Sequence, residues 1–514
     1  MAKFKLQNWW LGLSLAKKLR CFWLLGIFLI LGLFFWFKII PSGNMMYGKN
    51  YKKTWQSGKG FIYNFTPQDR VDEKSSRYPR IIGDPVYFSV FTPRSFSQAK
   101  VTVVYESNLR ESTPIIEVGV LSDPIVWRYN LKPLENKIIE KLNQDWFKIT
   151  DQGLTLWQRE SSYQDLNHFL SDLENNQLLA CQNNIRDCVA TYNYQPNVGL
   201  LVNEQLEALE NKNDFLLQVV NPVAIRGPHT ILLHLREDDS LQLKISLKSF
   251  NVNDPIKQAK ILLFNNQELI SEDSWLREEI LSNNLVASED INLSLYEPEL
   301  KAGIYKLEIK ISNDAIIEKL ESSAGANVFI NKVWPIAAED KITLFTDSSY
   351  LQIKAMSPAS LQGFNFNEEV FLIDKTYQQQ EVRLQESSKI NKIELEKDNI
   401  ILENNGVFSF FENQLFNPSL KRVDRFFSVD SELKYILASY KSPFLKPGGE
   451  RQAIAEFSLF GAYREKGKYN FMISIPGLRA EDNQDDYLVI KEIKIEMQGR
   501  SLWEKIFNLP DKYK

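Results

Sequence analysis

The feature that most constrains this chain is a run of uncharged, mostly apolar residues, CFWLLGIFLILGLFFWF, from Cys21 to Phe37. Two isoleucines continue the run after Lys38, whose long side chain is able to reach the membrane interface. About twenty helical residues, at a rise of about 1.5 Å each, span roughly 30 Å, the thickness of the hydrocarbon core of a bilayer. We therefore predict a transmembrane helix over residues 21–40, with the lipid bilayer as its partner.

The flank before this helix predicts its orientation. Residues 1–20 contain several basic side chains and no acidic one. The basic residues are Lys3, Lys5, Lys17, Lys18 and Arg20. Because positively charged flanks stay on the cytoplasmic side, we expect a cytoplasmic N-terminus and an extracytoplasmic C-terminal region. The same segment places Leu6, Trp9, Trp10 and Leu13 on one helical face, which is typical of a helix lying in the membrane interface.

A cleavable signal peptide is the alternative to a permanent anchor. Such peptides have a shorter apolar region and a small-residue cleavage site of the A-x-A kind. The segment PSGNMMYG, from Pro41 to Gly48, has small residues but no such site. We therefore favour an uncleaved signal-anchor and a single-pass protein of the cytoplasmic membrane.

The charge balance and the supply of metal ligands argue against several classes of function. The chain has 61 basic and 65 acidic residues, and its net charge of -4 argues against a nucleic-acid binder. With 3 Cys and 3 His in 514 residues, we expect no metal site and no cofactor. The sequence contains no G-x-S-x-G, P-loop, H-E-x-x-H or complete EF-hand motif. We therefore predict no catalytic residues and a protein that is not an enzyme.

The rest of the chain predicts a mainly β protein with about three β-sandwich or jelly-roll-like domains, the first with helical insertions. Residues 41–60 are rich in Gly, Lys and Ser, which is typical of a tether. Residues 61–225 contain the strand-like runs PVYFSVF, AKVTVVY and PIIEVGVL. Helical spacing of apolar residues at 134–142 and 163–179 makes this domain a mixed one.

Two cysteines follow the second helical segment. Cys181 and Cys188 have six residues between them, and an exported location permits a disulfide. Closing so short a loop would contribute about 2 to 3 kcal/mol in the chain-entropy model. Two free, buried thiols are the alternative.

Residues 226–333 contain the clearest period-two segments of the chain. Apolar and polar side chains alternate in LQLKISLKSF, from Leu241 to Phe250, and in GIYKLEIKI, from Gly303 to Ile311. Each segment predicts a strand with one buried face. The succession GPHTILLHLREDDSLQLKISL, KQAKILLFNNQELI and LKAGIYKLEIKI resembles the jelly-roll accessory modules of secreted bacterial proteins, notably pre-peptidase C-terminal domains. The resemblance implies a β-sandwich and brings no catalytic residue with it.

Residues 334–498 are expected to form a third domain, a β-sandwich or jelly roll. Its ending, KYNFMISIPGL and then YLVIKEIKIEMQG, resembles the closing strands of a galactose-binding-type jelly roll. Apolar residues on the two sides of Lys491 and Glu492 are out of phase, which predicts a β-bulge there. Residues 499–514 predict an amphipathic helix and tail that pack on the last sandwich or contact a partner or membrane surface.

Aromatic residues provide the candidate binding site. Sugar-binding modules stack aromatic rings on pyranose faces, and the candidates here are Trp127, Tyr129, Trp146 and Trp157. The first two stand two apart in PIVWRYNL, so we expect them to share one strand face. Core packing is the alternative for such residues, because large aromatic side chains dominate sandwich interiors.

These features together favour a membrane-anchored scaffold or binding protein outside the cytoplasm, in the bacterial cell envelope, with an envelope protein as its partner. A surface protein that binds a glycan or the cell wall is the first alternative. The second alternative is a hydrolase of envelope polysaccharides with an unrecognised site. A hydrolase would need two carboxylates about 5 to 10 Å apart in one cleft.

Overall fold

A computed structural model describes most of this chain. The residues that it describes are 14–39, 43–51, 61–73, 78–142, 145–175, 177–181, 185–196, 217–236, 240–251, 256–266, 268–277, 290–337, 340–385, 389–427, 429, 432–480 and 486–499. The chain divides into two compact units. Unit 1 consists of Met1–Pro124, Arg128–Lys137 and Lys441–Asp511, and unit 2 of Ile125–Trp127, Ile138–Tyr440 and Lys512–Lys514.

The first described element is helix α1, Leu15–Ile39, which covers most of the apolar run. Its large apolar side chains from Leu19 to Leu33 are exposed, Phe22 to 74%. No helix among the fully described residues is long and apolar enough to cross a membrane. Ile40, the last residue of the predicted span, lies outside the described residues.

The described elements after α1 are mostly strands, and the mainly β class is confirmed. Unit 1 begins with β1 (Asn44–Asn50), β2 (Val71–Asp72), β3 (Arg80–Ile81), β4 (Val86–Phe91), β5 (Gln98–Ser107), β6 (Ile115–Asp123) and β7 (Arg128–Asn136). The short helices α2 (Lys137–Leu142), α3 (Leu166–Glu174) and α4 (Ile185–Cys188) come next in the chain. Short 3-10 turns occur at Gln68–Arg70, Leu179–Cys181, Pro358–Ser360 and Glu412–Gln414.

The remaining strands belong first to unit 2 and then again to unit 1. Those of unit 2 are β8 (Phe147–Asp151), β9 (Leu154–Gln158), β10 (Val189–Tyr192), β11 (Gln218–Val219), β12 (Ile225–Arg226), β13 (His229–Leu235), β14 (Leu241–Ser249), β15 (Gln258–Asn265), β16 (Glu268–Leu276), β17 (Ile291–Glu297), β18 (Gly303–Lys310), β19 (Ala315–Ser322), β20 (Ala326–Val333), β21 (Ile342–Thr346), β22 (Tyr350–Ala355), β23 (Gln362–Phe366), β24 (Glu369–Ile373), β25 (Gln380–Arg383), β26 (Asn391–Leu395), β27 (Ile400–Ser409), β28 (Lys421–Arg422) and β29 (Tyr435–Ala438). Unit 1 ends with β30 (Phe444–Leu445), β31 (Arg451–Ser458), β32 (Arg464–Glu465), β33 (Lys468–Ser474) and β34 (Leu488–Gln498).

Unit 1 is built on two antiparallel sheets that share one core. The first sheet has the order β2-β3-β34-β5-β31-β30, with β1 also paired to β34, and the second has the order β32-β33-β6-β7, with β4 paired to β33. Buried residues from both sheets form one hydrophobic cluster, including Val103 and Ile493 from the first and Val118 and Phe471 from the second. Strand β4 shows the underlying alternation, because every second side chain, from Val86 onward, is buried.

The closing strands of the chain pair with strands near its beginning. Strand β33 lies between β4 and β6, and β34 pairs with β5. Residues expected in the first and third domains therefore form one unit, which differs from the expected boundaries at 61–225 and 334–498. The register of β34 against β5 shifts between Ile490 and Glu492, which confirms the predicted bulge.

The tether expected at residues 41–60 is wrong where the structure describes it. Asn44–Asn50 form strand β1, which pairs with β34 over its whole length. Tyr47 is buried, and its ring meets the ring of Phe61 edge-on at a centroid distance of 5.6 Å. The polar composition of NMMYGKN gave no sign of a strand. Backbone pairing to β34 and a single buried side chain are enough to hold it in the sheet.

Unit 2 contains three sheets, counted over the residues that the structure describes. A twelve-stranded sheet runs β16-β15-β18-β13-β20-β27-β21-β26-β23-β24, with β22 joining β25 to β27. A five-stranded sheet, β11-β19-β14-β17 with β12 on β19, packs into the same hydrophobic cluster. Because β20 pairs with β27, the residues expected as a separate sandwich at 226–333 share a sheet with later residues. The alternation predicted for β14 is confirmed, since its four apolar side chains from Leu241 to Leu247 are buried.

The third sheet of unit 2, β28-β10-β29-β9-β8, carries the helical material. Helix α3 occupies the middle of the segment predicted at 163–179, and Leu166, Phe169 and Leu173 are its buried residues. Asp165 caps the helix by accepting a hydrogen bond from the backbone N–H of His168 at 3.1 Å. The other predicted helix, 134–142, is a strand as far as Asn136 and a helix from Lys137. The C-terminal helix predicted within 499–514 falls almost entirely outside the described residues.

Candidate functional site

The structure separates the four aromatic candidates. Trp157 is only 4% exposed in strand β9, as a core residue would be. Trp146 is half-buried, and the Arg159 guanidinium lies 5.1 Å from its ring centroid. Trp127 is 61% exposed and precedes β7, in a turn where its φ is 50°. The shared strand face expected for Trp127 and Tyr129 is therefore wrong, because the strand begins only at Arg128.

Tyr129 has a different aromatic partner. Its ring lies beside the ring of Tyr87, with the centroids 5.6 Å apart and the planes inclined by 39°. The two residues come from β7 and β4, which are not neighbours, because β33 and β6 lie between them. Both side chains are half-buried, so the pair forms part of the outer surface of the second sheet of unit 1.

Gly119 of β6 makes room for this pair. Across the sheet, Met472 lies opposite both Tyr87 and Gly119, and Gly119 lies opposite Leu131. A Cβ atom at position 119 would be 2.7 Å from the Leu131 side chain and 3.2 Å from the Cβ of Tyr129. A glycine within a strand often marks such a close approach.

Polar groups border the two rings. The Ser89 hydroxyl donates a hydrogen bond to the Asn470 side-chain oxygen at 2.7 Å, which leaves the Asn470 amide nitrogen as a donor. Neither tyrosine hydroxyl has a hydrogen-bond partner among the described residues. We call this surface the tyrosine face and define it by its residues. They are Tyr87, Ser89, Gly119, Tyr129, Asn470 and Met472.

The environment keeps both phenols protonated at neutral pH. Burial, and then the neighbouring Tyr87, raise the pKa of Tyr129 to about 12. Burial also raises the pKa of Tyr87, although the positive charge of Arg70 acts in the opposite direction. Each hydroxyl is therefore available as both hydrogen-bond donor and acceptor.

The tyrosine face combines ring surfaces with adaptable hydrogen-bonding groups. Aromatic rings present a negative face that attracts polarised C–H bonds, and they bury much apolar surface at little cost in side-chain entropy. A saccharide has C–H-lined ring faces and a periphery of hydroxyls, which these two kinds of group complement.

The two predicted disulfide partners lie in unit 2. Cys181 and Cys188 are bonded, with their Cα atoms 5.4 Å apart, and both are largely buried. They belong to the hydrophobic cluster that includes Phe169 and Tyr435. The neighbouring Arg186 pairs with the buried Asp347 carboxylate, which also accepts hydrogen bonds from the Val407 backbone and the Asn417 side chain. This group of contacts holds α4 in place within unit 2.

Among the residues that the structure describes, no group of three or more His, Cys, Asp or Glu side chains could hold a metal ion. His229 and His234 are both buried on β13. The Nδ1 atom of His229 lies 2.9 Å from the Gly227 carbonyl oxygen, so the ring donates a hydrogen bond there. These histidines are core residues of the large sheet.

Sequence reasoning missed Tyr87 because its neighbours on the sheet are far away in the chain. The only local signal was alternation in PVYFSVF, which puts Tyr87 and Ser89 on the face opposite the buried Val86 and Phe88. The pairing of β4 with β33 and the contact with Tyr129 depend on the fold of the whole unit.

Comparison with known proteins identifies no family. No protein-family model matches the chain, and no curated protein matches it. One solved structure with local similarity is that of dimeric latent PorU from Porphyromonas gingivalis, at 13% identity and a TM-score of 0.16. The match covers 37% of this chain and spans only 20% of that one.

Proposed function

We propose that this protein is a membrane-anchored binding protein whose β-structured region lies outside the cytoplasm. The uncharged run from Cys21 to Phe37, its helical conformation and its basic flank support an uncleaved signal-anchor with a cytoplasmic N-terminus. The exposed apolar side chains from Leu19 to Leu33 support it too, because a bilayer would remove that surface from water. The bonded pair Cys181 and Cys188 is typical of proteins in oxidising compartments.

In this proposal the anchor helix keeps the two β-sheets of unit 1 close to the membrane. The chain from Ile39, the end of α1, to Asn44, the start of β1, reaches at most about 18 Å when fully extended. Ligands of unit 1 would therefore be components of the envelope that approach the outer surface of the membrane.

We propose an envelope polysaccharide as the ligand of the tyrosine face. The observation that carries this proposal is the contact between Tyr87 and Tyr129 across two intervening strands, at 5.6 Å. The rings supply stacking surface, and the Asn470 amide and the two phenols supply hydrogen bonds at its border. A flat site of this kind suits a polymer, because several sugar rings can lie along one sheet face.

Retention on immobilised polysaccharide from the cell envelope tests this ligand. Full-length protein extracted from the membrane is compared with a variant carrying Tyr87→Ala and Tyr129→Ala. We expect retention to weaken about tenfold or more, which corresponds to about 1.4 kcal/mol of binding free energy. Tyr296→Ala is the matched control, because Tyr296 is a 63% exposed tyrosine of unit 2. Absence of wild-type retention, or equal retention by the double variant, would rule out the polysaccharide ligand.

A scaffold that holds an envelope protein is the second candidate, and one strand favours it. Strand β24 is the last strand in the order of the twelve-stranded sheet, and among the described residues it pairs with β23. Its side chains Val370 and Leu372 are 75% and 67% exposed. An apolar edge strand is a site where a partner is able to add a strand of its own.

Affinity capture from solubilised membranes, with bound proteins identified by mass spectrometry, tests the scaffold. Val370→Lys places a charge on the exposed edge and is expected to abolish stoichiometric capture of the partner. Ile270→Lys, on strand β16 at the other end of the same sheet order, is the matched control. The scaffold is disproved if no protein is captured in stoichiometric amounts, or if Val370→Lys captures as much as the wild type.

A further inference from the structure

Unit 1 also contains a concave surface, on the sheet that does not carry the tyrosine face. The cleft has a volume of about 210 Å³ and lies where strands β3, β34 and β5 run side by side. We call this surface the cation cleft and define it by six of its lining residues. They are Tyr78, Arg80, Glu106, Ser107, Tyr487 and Lys491.

The cleft contains two positively charged side chains, and the bulge in β34 supplies the first of them, Lys491. Because the register shifts between Ile490 and Glu492, Lys491 has no partner residue in the β5 ladder. Its ammonium lies 3.0 Å from a Glu106 carboxylate oxygen and 3.9 Å from the centroid of the Tyr78 ring. An ammonium has three N–H donors, so the bond to Glu106 leaves others for a ligand.

Arg80 supplies the second cation from β3. Its guanidinium carbon lies 4.6 Å from the centroid of the Tyr487 ring, within the range of a cation–π contact. Its Nε–H is buried and has no acceptor among the described residues, and the same is true of the Ser107 hydroxyl. Buried donors are normally satisfied, so an acceptor that enters the cleft would complete two hydrogen bonds that the protein leaves open.

The charges of the cleft favour an anion. Arg80 and Lys491 contribute two positive charges, and Glu106 contributes one negative charge that is already paired with Lys491. A guanidinium fork matches the geometry of carboxylate and phosphate oxygens, and it binds them by two parallel hydrogen bonds. The lining of the cleft is mostly polar, and the aromatic rings of Tyr78 and Tyr487 add surfaces on which the body of a small ligand can pack.

We propose that the cation cleft binds the oxyanion group of a sugar-sized ligand, a carboxylate or a phosphate ester, through Arg80, Ser107 and Lys491. The site is separate from the tyrosine face, because it is built on strands β3, β34 and β5 and not on β4, β33, β6 and β7. The anion accepts from the Arg80 Nε–H and the Ser107 hydroxyl, and Lys491 contributes its remaining N–H groups. No covalent step is involved.

Titration calorimetry on the full-length protein in detergent tests this site with three probes of similar size. Glucuronate carries a carboxylate, glucose 6-phosphate carries a phosphate ester, and glucose carries neither. We expect saturable binding of at least one of the two anions and none of glucose, with an affinity that falls as salt concentration rises. The stronger of the two anions identifies the source of the oxyanion. Equal binding of glucose, or no saturable binding of either anion, would overturn the proposal.

Substitutions then assign the binding to this cleft. Arg80→Gln is expected to weaken anion binding at least tenfold, and Arg80→Lys to weaken it too, because lysine keeps the charge but loses the Nε–H and the fork. Lys494→Gln is the matched control, since Lys494 lies on the same strand and pairs with Glu496 outside the cleft. Unchanged affinity in Arg80→Gln would overturn the assignment.

Two further variants keep the test decisive. If Arg80→Gln lowers the melting temperature, Ser107→Ala takes its place, because it removes the second open donor and changes little volume. The double variant Tyr87→Ala and Tyr129→Ala is expected to bind the anion with wild-type affinity. If this double variant loses polysaccharide retention but still binds the anion, the tyrosine face and the cation cleft are independent sites. The proposal for one can then fail without the other.

Discussion

Asn44 lies opposite Gln498 in an antiparallel pair, so the strand that follows the N-terminal helix and the last described strand are neighbours in one sheet. Unit 1 is therefore assembled from both ends of the described chain, and most of unit 2 is inserted between β7 and β30. The pairing also means that unit 1 cannot form until its last strand is available.

Strand β34 is expected to carry much of the stability of unit 1. Ile495 is fully buried and lies between Tyr47 of β1 and Val101 of β5. We predict that Ile495→Ala lowers the free energy of unfolding of unit 1 by about 2 to 5 kcal/mol, because it leaves a cavity between three strands. Gln498→Ala, at the exposed end of the strand, should change it by less than about 0.5 kcal/mol. Urea denaturation followed by circular dichroism measures both, and equal effects would contradict the role given to β34.

A buried ion pair joins β7 to β31. The Glu135 carboxylate is fully buried, pairs with Arg451 and accepts a hydrogen bond from the Tyr105 hydroxyl at 2.8 Å. Arg451→Met would leave the carboxylate without its counter-charge, which costs about 3 to 5 kcal/mol. Adding Glu135→Gln to that variant should recover part of the loss, because the buried charge is gone. A double-mutant cycle by chemical denaturation measures the coupling, and additive effects would contradict it.

Gly119 is expected to be required for the tyrosine face. The added methyl group of Gly119→Ala would meet the Leu131 side chain and the Asn130 carbonyl oxygen, at 2.7 and 3.2 Å. Overpacking of this kind costs about 1 to 3 kcal/mol, and displacement of β7 would separate the two tyrosine rings. Thermal unfolding and polysaccharide retention should both decrease. Gly461→Ala is the control, because an added Cβ there meets no atom within 4 Å; a Gly119→Ala protein with wild-type retention would contradict the geometry of the face.

His229 should make unit 2 sensitive to acid. Burial, and then the positive charge of Lys332, lower the pKa of His229 from 6.5 to about 3. Because its pKa is lower in the folded state, His229 binds a proton at a higher pH in the unfolded chain than in the folded protein. The contribution of the neutral ring to stability is therefore fully present above pH 6.5 and is lost as the pH falls toward 3. The loss attributable to His229 is about 1.4 kcal/mol per pH unit in that window.

His229→Asn removes the titrating group and keeps a donor for the Gly227 carbonyl oxygen. The wild type should therefore lose stability relative to His229→Asn as the pH is lowered. The free energy of unfolding of the wild type minus that of His229→Asn is expected to decrease from pH 7 to pH 5. Denaturant titrations at the two pH values measure it. A difference that stays constant would show that His229 is not buried as a neutral ring.

The sequence predicted those features that depend on neighbouring residues. Alternation identified the buried face of β14, apolar spacing identified α3, and a change of phase identified the bulge at Lys491. Each is set by side chains within about ten positions of one another, where the period of a helix or strand is directly visible.

Long-range pairing could not be predicted in the same way. Nothing local to KYNFMIS indicates that β33 pairs with β4 and β6, so the ending of the chain was assigned to a third domain of its own. The candidate site was affected similarly. Tyr129 was identified from its residue type, but its partner Tyr87 became recognisable only when four strands from three parts of unit 1 were seen together.

The measurement that tests the central claim most directly is digestion of intact spheroplasts by an added protease, with the full-length protein carrying an N-terminal epitope tag. We predict that the protease removes the chain from β1 onward, and that a short tagged fragment containing the helix Leu15–Ile39 survives until detergent dissolves the membrane. A chain that remains intact in sealed spheroplasts, and is digested only after lysis, would contradict an extracytoplasmic binding protein.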